Sequence, residues 1–121
     1  MNEELTSLIK RYRRTPEFMF SNSTDVNSTG MTGDTLLHSA VIRASTEDVE
    51  LLIRSGAKVN AQGDLGNTPL HHAASRGFLD IANQLIASGA DRHLKNEFDQ
   101  TPGDVATLMK HNELAERLRG K

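Results

Sequence analysis

Apolar side chains recur at helical spacing in short runs along the chain, and polar residues with glycine separate the runs. A short helix is predicted after Thr68, a natural N-cap, with Pro69 at its first position and Gly77 at its end. A longer helix is predicted from about Leu79 to Ser88, with Gly89 as the left-handed residue after it. The apolar positions on the two faces are Leu70, Ala73 and Ala74, then Ile81, Ala82, Leu85 and Ile86.

The same pattern returns every 33 residues. DTLLHSA at residues 34–40 reappears as NTPLHHA at 67–73, with a shorter echo, QTPGDVA, at 100–106. IRSGA at 53–57 likewise returns as IASGA at 86–90. A fixed period of this length indicates a stack of small units, none of which buries its apolar face alone. We therefore predict full units at 30–62 and 63–95 and a truncated unit at 96–121.

TPLHHAA at residues 68–74, followed by Gly77 and by GAD at 89–91, resembles the ankyrin repeat. This resemblance implies an all-α ankyrin-repeat solenoid of stacked helix-turn-helix units with short turn-tip loops. The first unit has Leu36 in place of the proline and Ala44 in place of the mid-unit glycine. The third unit departs further, as a polar terminal cap should. Its departures are Asp104 for the histidine, Gly103 for the leucine and Asp99 for the turn glycine.

Residues 1–29 are predicted to be a degenerate N-terminal cap repeat. STDVN at 23–27 lies 33 residues before GAKVN at 56–60, so it is similar to the end of a unit. Thr15-Pro16-Glu17 can start a second short helix in this segment. The apolar positions are Leu5, Leu8, Ile9 and Tyr12 in the first helix and Phe18, Met19 and Phe20 in the second. A separate N-terminal arm is the alternative.

Composition narrows the function classes. The 121 residues suit one domain, and a net charge of −2 gives no general attraction to nucleic acid or anionic membrane. Only 4% of residues are aromatic, so Leu, Ile, Val and Ala must form the core. There is no cysteine, no secretory signal and no apolar run long enough to span a membrane. We expect a cytoplasmic protein that is a monomer when free.

The residues that could carry chemistry favour structural roles. His38 and His71 occupy one position in successive units, about 10 Å apart, which is too far for a shared metal ion. The resemblance implies that this histidine hydrogen-bonds within its own turn. GDLGN at 63–67 lacks the lysine and preceding strand of a phosphate loop. We therefore expect no enzyme activity, no metal, no cofactor and no small-molecule substrate.

The dense basic run KRYRR at residues 10–14 supports a second function class. It could contact nucleic acid, as in a nucleic-acid or ribonucleoprotein accessory factor. The more frequent interpretation of such a run is the solvated face of a cap helix. The later units do not repeat this dense basic run, which disfavours nucleic acid.

The resemblance implies that turn tips and the exposed side of each first helix form a concave recognition face. A protein partner of unknown identity is expected there, bound by an inhibitor, immunity protein or accessory subunit. Several of the implied positions are apolar, and acidic residues accompany them, which is the composition of a contact site. The candidate residues are Met31, Asp34, Arg43, Asp64, Leu65, Asn67, Arg76, Glu97, Phe98 and Gln100. The resemblance also places Thr32, Ile42, Ser75, Leu108 and Met109 on this face.

Overall fold

The chain is a stack of short antiparallel helices joined by tight turns. The computed structural model describes residues 3–19 and 25–120. Within these residues the secondary structure is helical, apart from one isolated bridge between Thr29 and Thr35. The helices are α1 (Glu3–Arg13), α2 (Leu36–Ile42), α3 (Thr46–Arg54), α4 (Pro69–Arg76), α5 (Leu79–Ala87), α6 (Pro102–Leu108) and α7 (Asn112–Arg119).

The helices form two layers. The short helices α2, α4 and α6 pack side by side in the first layer. α3 and α5 lie behind α2 and α4 and pack against each other, while α7 packs behind α6. Each helix pair falls within one of the predicted units, and the all-α solenoid is confirmed. The unit boundaries at 30–62, 63–95 and 96–121 stay a prediction.

The predicted helix ends in the second unit are confirmed. Thr68 caps α4 by accepting a hydrogen bond from the backbone N–H of His71, and Gly77 ends the helix at φ +74°. Gly89 follows α5 at φ +99°. The backbone N–H of Ala90 then bonds to the carbonyl of Leu85, which is the hydrogen bond of a Schellman motif, a common helix end with glycine in this conformation.

The core is aliphatic, as the composition predicts. Leu8, Leu37, Leu52 and Leu85 are fully buried, and small alanines on the inner helices allow neighbouring units to approach closely. Tyr12 and Phe18 are the buried aromatic side chains in the described residues, with ring centroids 6.5 Å apart. Because both residues belong to the N-terminal segment, this segment is part of the core. Burying a side chain of this size stabilises a fold by roughly 1.5–3 kcal/mol.

The N-terminal segment departs from a regular unit. α1 packs against α3, in the outer layer. Residues 14–19 form turns, so the predicted helix after Thr15 is wrong over this range, and Phe20 lies outside the described residues. Glu17 in this turn accepts a hydrogen bond from the hydroxyl of Ser39 on α2 at 3.2 Å. The segment thus covers both layers of the first unit without forming a second helix over 14–19.

Asn27 nevertheless makes the contacts of a regular unit end. Its side chain donates to the carbonyl of Gly56 at 3.3 Å and accepts from the N–H of Lys58 at 2.8 Å. One period later, Asn60 makes the same pair of bonds to Gly89 and Asp91. We propose on this basis that residues 1–29 act as a degenerate cap repeat, not as a separate arm.

Candidate partner-binding face

Three turn tips precede the inner helices and are built alike. In each, the first N–H bonds to the carbonyl four residues later, which closes the loop. The donor and acceptor are Gly30 and Asp34, Gly63 and Asn67, and Asn96 and Gln100, at 2.8–2.9 Å. Because these bonds hold the backbone of all three tips, the side chains at the tips project from a defined loop.

His38 and His71 each join an inner helix to the turn tip of the next unit. Nδ1 of His38 accepts from the backbone N–H of Thr35 at 3.0 Å, so the proton of the neutral ring is on Nε2. Nε2 then donates to the carbonyl of Asn67 in the next tip at 2.8 Å. His71 makes the same contacts to Thr68 and Gln100. The implied bond within the turn is present, and the ring also fixes the following unit.

The third unit has Asp104 at this position. Its carboxylate accepts from the N–H of Thr101 at 3.0 Å, and these hydrogen bonds hold its pKa below the usual range. A carboxylate replaces the histidine as a partner within the turn, but it has no N–H to offer a further unit. Gly103, beside it, is covered by the side chain of Arg119, since an added Cβ would lie 2.4 Å from the arginine Cγ.

The turn tips expose large apolar side chains. Met31 is 71% exposed, Phe98 62% and Leu65 46%. The neighbouring Asp64 and Glu97 are exposed as well. We refer to Met31, Asp64, Leu65, Glu97 and Phe98 as the turn-tip row. Apolar groups of this size are normally buried, so their exposure on successive tips marks a candidate contact surface.

Leu65 adopts an unfavourable backbone conformation at the centre of the row. Its φ of +58° is followed by +74° at Gly66, and the two form a tight turn. A left-handed conformation costs a branched L-residue roughly 1–2 kcal/mol. The carbonyl of Leu65 accepts from the N–H of Glu97 at 2.9 Å, which links the second tip to the third. The turn therefore holds an exposed leucine in place at some cost to stability.

Three predicted tip residues serve mainly to hold the tips together. The expectation that Asp34 is exposed is wrong: it is buried, and its carboxylate accepts from the N–H of Asp64 at 2.9 Å. The side chains of Asn67 and Gln100 are partly buried and accept from the amide of Asn96 at 3.0 and 3.2 Å. The side-chain oxygens of Asp34 and Asn67 bond to the next tip, and that of Gln100 bonds within its own tip. The turn-tip row is therefore the exposed part of the prediction.

The C-terminal ends of the inner helices carry the other predicted contact positions. Leu108 and Met109 are 66% and 50% exposed, and Arg76 is exposed. The guanidinium of Arg43 lies 4.6 Å from the ring centroid of Tyr12, so it contributes to N-terminal packing as well as facing solvent. Ile42 and Ser75 are only partly exposed. These ends lie about 10 Å from the tips, since a helix rises 1.5 Å per residue.

His72 lies on α4, at its interface with α2. Its ring meets that of His38 edge-on, with centroids 5.7 Å apart. Its Nε2 is buried without a hydrogen-bond partner among the described residues. Burial, together with the nearby His38, lowers the pKa of His72 to about 4, so the ring is neutral at pH 7. An apolar side chain would suit this site equally well.

Two residues of the basic run contact α3. Tyr12 is fully buried and donates to Asp48 on α3 at 2.9 Å, and Arg11 pairs with the same carboxylate at 3.1 Å. Burial alone would raise the pKa of Asp48, but the bonds from Arg11 and Tyr12 outweigh it and lower the pKa. Lys10, Arg11 and Arg14 are exposed, as a solvated face predicts, while Tyr12 is buried with the apolar positions of α1.

Within residues 3–19 and 25–120, no group of three or more potential ligands is arranged to hold a metal ion. In the same part of the chain, no helix is long and apolar enough to cross a membrane.

Helix pairs stacked every 33 residues, with capped turns on one edge, define an α-solenoid of the repeat-protein class. The family model for ankyrin repeats (3 copies) matches residues 6–96 and 37–120, and the chain belongs to this family. Ankyrin repeats generally mediate protein–protein interactions and are generally non-enzymatic. A comparison with curated proteins finds no match.

Proposed function

We propose that this protein occupies a protein partner through its turn-tip row and the exposed ends of its inner helices. It would act in the cytoplasm as an inhibitor, immunity protein or accessory subunit, and it would be a monomer when free. The observation that carries the proposal is the exposure of Met31, Leu65 and Phe98 on three successive tips. Binding energy at interfaces concentrates in a few large side chains, and the row supplies three of them.

The rigidity of the tips supports this role. The tips are closed by backbone bonds and tied to each other through His38, His71 and Leu65. A partner therefore meets apolar side chains on an ordered backbone, and binding loses little conformational entropy. The left-handed Leu65 fits the same account, because strained residues that the surroundings hold in place cluster at functional sites.

The alternative function, a nucleic-acid or ribonucleoprotein accessory factor, rests on the basic run. Arg11 and Tyr12 of that run pack against α3, while Lys10 and Arg14 are exposed. Lys10 on α1 and Arg14 just after it supply a weak and salt-sensitive attraction to phosphate. The acidic residues in the turn-tip row would repel phosphate, so this alternative requires binding at the N-terminal helix and not at the tips.

The proposal is tested by quantitative affinity capture from the extract of the source organism. The wild-type chain is compared with Leu65→Ser/Phe98→Ser, and with Glu50→Ser/Glu116→Ser on the outer helices as a control. We expect one set of proteins to be retained by the wild type and the control and lost from the tip variant. Capture unchanged in the tip variant would exclude the turn-tip row.

A nuclease arm separates the two functions. Treatment of the extract with nuclease should leave the capture unchanged if the partner is a protein. Loss of the captured material after nuclease, together with its retention by the tip variant, would establish the nucleic-acid alternative. The mass of the purified complex then distinguishes an inhibitor or subunit with one client from an adaptor that holds two.

A further inference from the structure

The turn tips combine apolar side chains with one sign of charge. The three tips at residues 30–34, 63–67 and 96–100 contain four carboxylates and no Lys or Arg. The carboxylates are Asp34, Asp64, Glu97 and Asp99. Glu17 adds a fifth at the first tip, where it accepts from the hydroxyl of Thr32 at 2.8 Å. The field above this edge of the stack is therefore negative, although the whole chain carries only −2.

The two carboxylates of the turn-tip row are available to a partner. Asp64 and Glu97 are exposed, and neither has a salt-bridge partner within residues 3–19 and 25–120. Each directly precedes an exposed apolar residue, Leu65 and Phe98 respectively. Lys95 neutralises only Asp99, at 3.3 Å, and both of those side chains are well exposed to solvent.

The third tip repeats the pairing of charge and apolar surface in a fixed geometry. The N–H of Glu97 bonds to the carbonyl of Leu65, and Asn96 bonds to both Asn67 and Gln100. The spacing of the two carboxylates and the two apolar side chains is therefore set by the backbone. A surface of this kind discriminates between partners by charge, because like charges placed together are unfavourable.

We infer that the partner presents a basic segment with large apolar anchors to the turn-tip row. This inference rests on the proposed function and adds the chemistry of the partner. Lys or Arg side chains of the segment would pair with Asp64 and Glu97, while its apolar side chains would pack against Leu65, Phe98 and Met31. An acidic segment, or the phosphates of a nucleic acid, would meet uncompensated carboxylates.

The test uses two pools of short synthetic peptides that are identical in their Leu, Phe and Trp anchors. One pool has Lys and the other has Glu at the flanking positions. We expect the wild type to retain the Lys pool about tenfold more than the Glu pool. Asp64→Lys/Glu97→Lys should remove or reverse this preference, whereas Glu50→Lys/Glu116→Lys on the outer helices should change it less than about twofold.

Three outcomes overturn the inference: equal retention of the two pools, preference for the Glu pool, or equal effects of the tip and outer reversals. The last would show that the preference follows from overall charge. Phe98→Ala separates this inference from the proposed function. Loss of Lys-pool binding in Phe98→Ala supports the row, whereas full retention means that the peptides bind elsewhere and that the proposed face is wrong.

Discussion

The position that follows each inner helix requires a left-handed backbone, and the three units fill it with different residues. Gly77 occupies it at φ +74°, Ala44 at +57° and Lys110 at +64°. The residues lie 33 positions apart, so one structural requirement is met by glycine once and by strained residues twice. A non-glycine residue costs roughly 1–2 kcal/mol in this conformation.

Placing glycine at this position should therefore raise the free energy of unfolding, and replacing glycine there should lower it. Ala44→Gly relieves strain but adds freedom to the unfolded chain, so we expect a net gain of about 0.5–1 kcal/mol. Gly77→Ala adds strain and places a Cβ 2.7 Å from Nδ1 of His111, which predicts a loss of about 1–3 kcal/mol. Urea unfolding of both variants measures the difference, and changes of the same sign would contradict the account.

Gly89 is the corresponding residue after an outer helix. Gly89→Val should lower the free energy of unfolding by about 1–3 kcal/mol, because a β-branched residue does not readily adopt φ +99°. No heavy atom lies within 4 Å of the added Cβ, so the loss would be conformational and not steric. Ala87→Val, on the exposed end of α5, is the control and should cost only a few tenths of a kcal/mol. Equal melting temperatures for Gly89→Val and the wild type would refute the assignment.

At the scale of elements, α1 contacts α3 through the carboxylate of Asp48, in addition to a more exposed pair of Glu4 with Arg54 at 3.8 Å. Asp48 accepts from Tyr12 at 2.9 Å and from Arg11 at 3.1 Å, and it is nearly buried. Its equivalents in the next units are Ile81 and Leu114, both buried apolar residues. The first unit therefore uses an ionic contact where the others use an apolar one, and removing one partner should be costly.

Tyr12→Phe tests this contact. The variant keeps the ring but removes the hydroxyl, so we expect a loss of about 1–2 kcal/mol in the free energy of unfolding. Lys10→Ala, on the exposed side of α1, is the control and should change the free energy of unfolding by less than about 0.5 kcal/mol. If Tyr12→Phe is as stable as the wild type, α1 is not anchored through Asp48.

The interface between α2 and α4 should weaken in acid. Burial and His38 lower the pKa of His72 to about 4 from an ordinary 6.5, and burial lowers the pKa of His38 and His71 as well. Below pH 6.5 the unfolded chain binds more protons than the folded chain. The stability that these neutral histidines contribute is therefore fully present above pH 6.5 and is lost between pH 6.5 and 4. For His72 alone the loss is on the order of 2 kcal/mol.

His72→Leu provides the matched variant for this pH dependence. It removes the titrating ring and the buried Nε2, which has no partner among the described residues, so stability near pH 7 should change little. Its unfolding free energy should fall less steeply than that of the wild type between pH 6.5 and 4. Parallel curves for the two proteins in chemical denaturation would show that His72 does not control the acid response.

Sequence alone predicted the regular part of the fold because the period fixes it. The caps at Thr68, Gly77 and Gly89 each follow from local backbone chemistry, so the repeat identified them. The contact of Tyr12 with Asp48 joins residues 36 positions apart, and periodicity carries no information about it. One signal was present: Asp48 stands at a position where the other units have apolar residues.

The candidate face was predictable in part for the same reason. Exposure of Met31, Leu65 and Phe98 follows from their places on turn tips, and the structure agrees. Asp34 was expected on the same face, yet it is buried and accepts from the N–H of Asp64 in the next tip. Its equivalents Asn67 and Gln100 are partly buried as well. Whether a polar tip residue serves a partner or the neighbouring unit depends on contacts between units, which a single unit's pattern does not contain.

At the scale of the whole molecule, the turn-tip row is an exposed apolar edge that runs across the stacked units. Turns around Phe18 and α1 cover the first unit, and Arg119 covers Gly103 in the last. The turn-tip row remains exposed on an ordered backbone between them. The central claim is therefore that binding is concentrated in this row and not in the basic residues of α1.

The most direct measurement is calorimetric titration of the captured partner into two variants, each checked by a circular dichroism melt. Phe98→Ala should melt within a few degrees of the wild type, since surface changes stay within about 0.5 kcal/mol, yet bind at least about tenfold more weakly. Lys10→Ala/Arg14→Ala removes two exposed cations of the basic run without breaking the Arg11–Asp48 pair, and should bind nearly as the wild type does. Full affinity in Phe98→Ala with loss in Lys10→Ala/Arg14→Ala would contradict the claim and assign binding to the N-terminal basic helix.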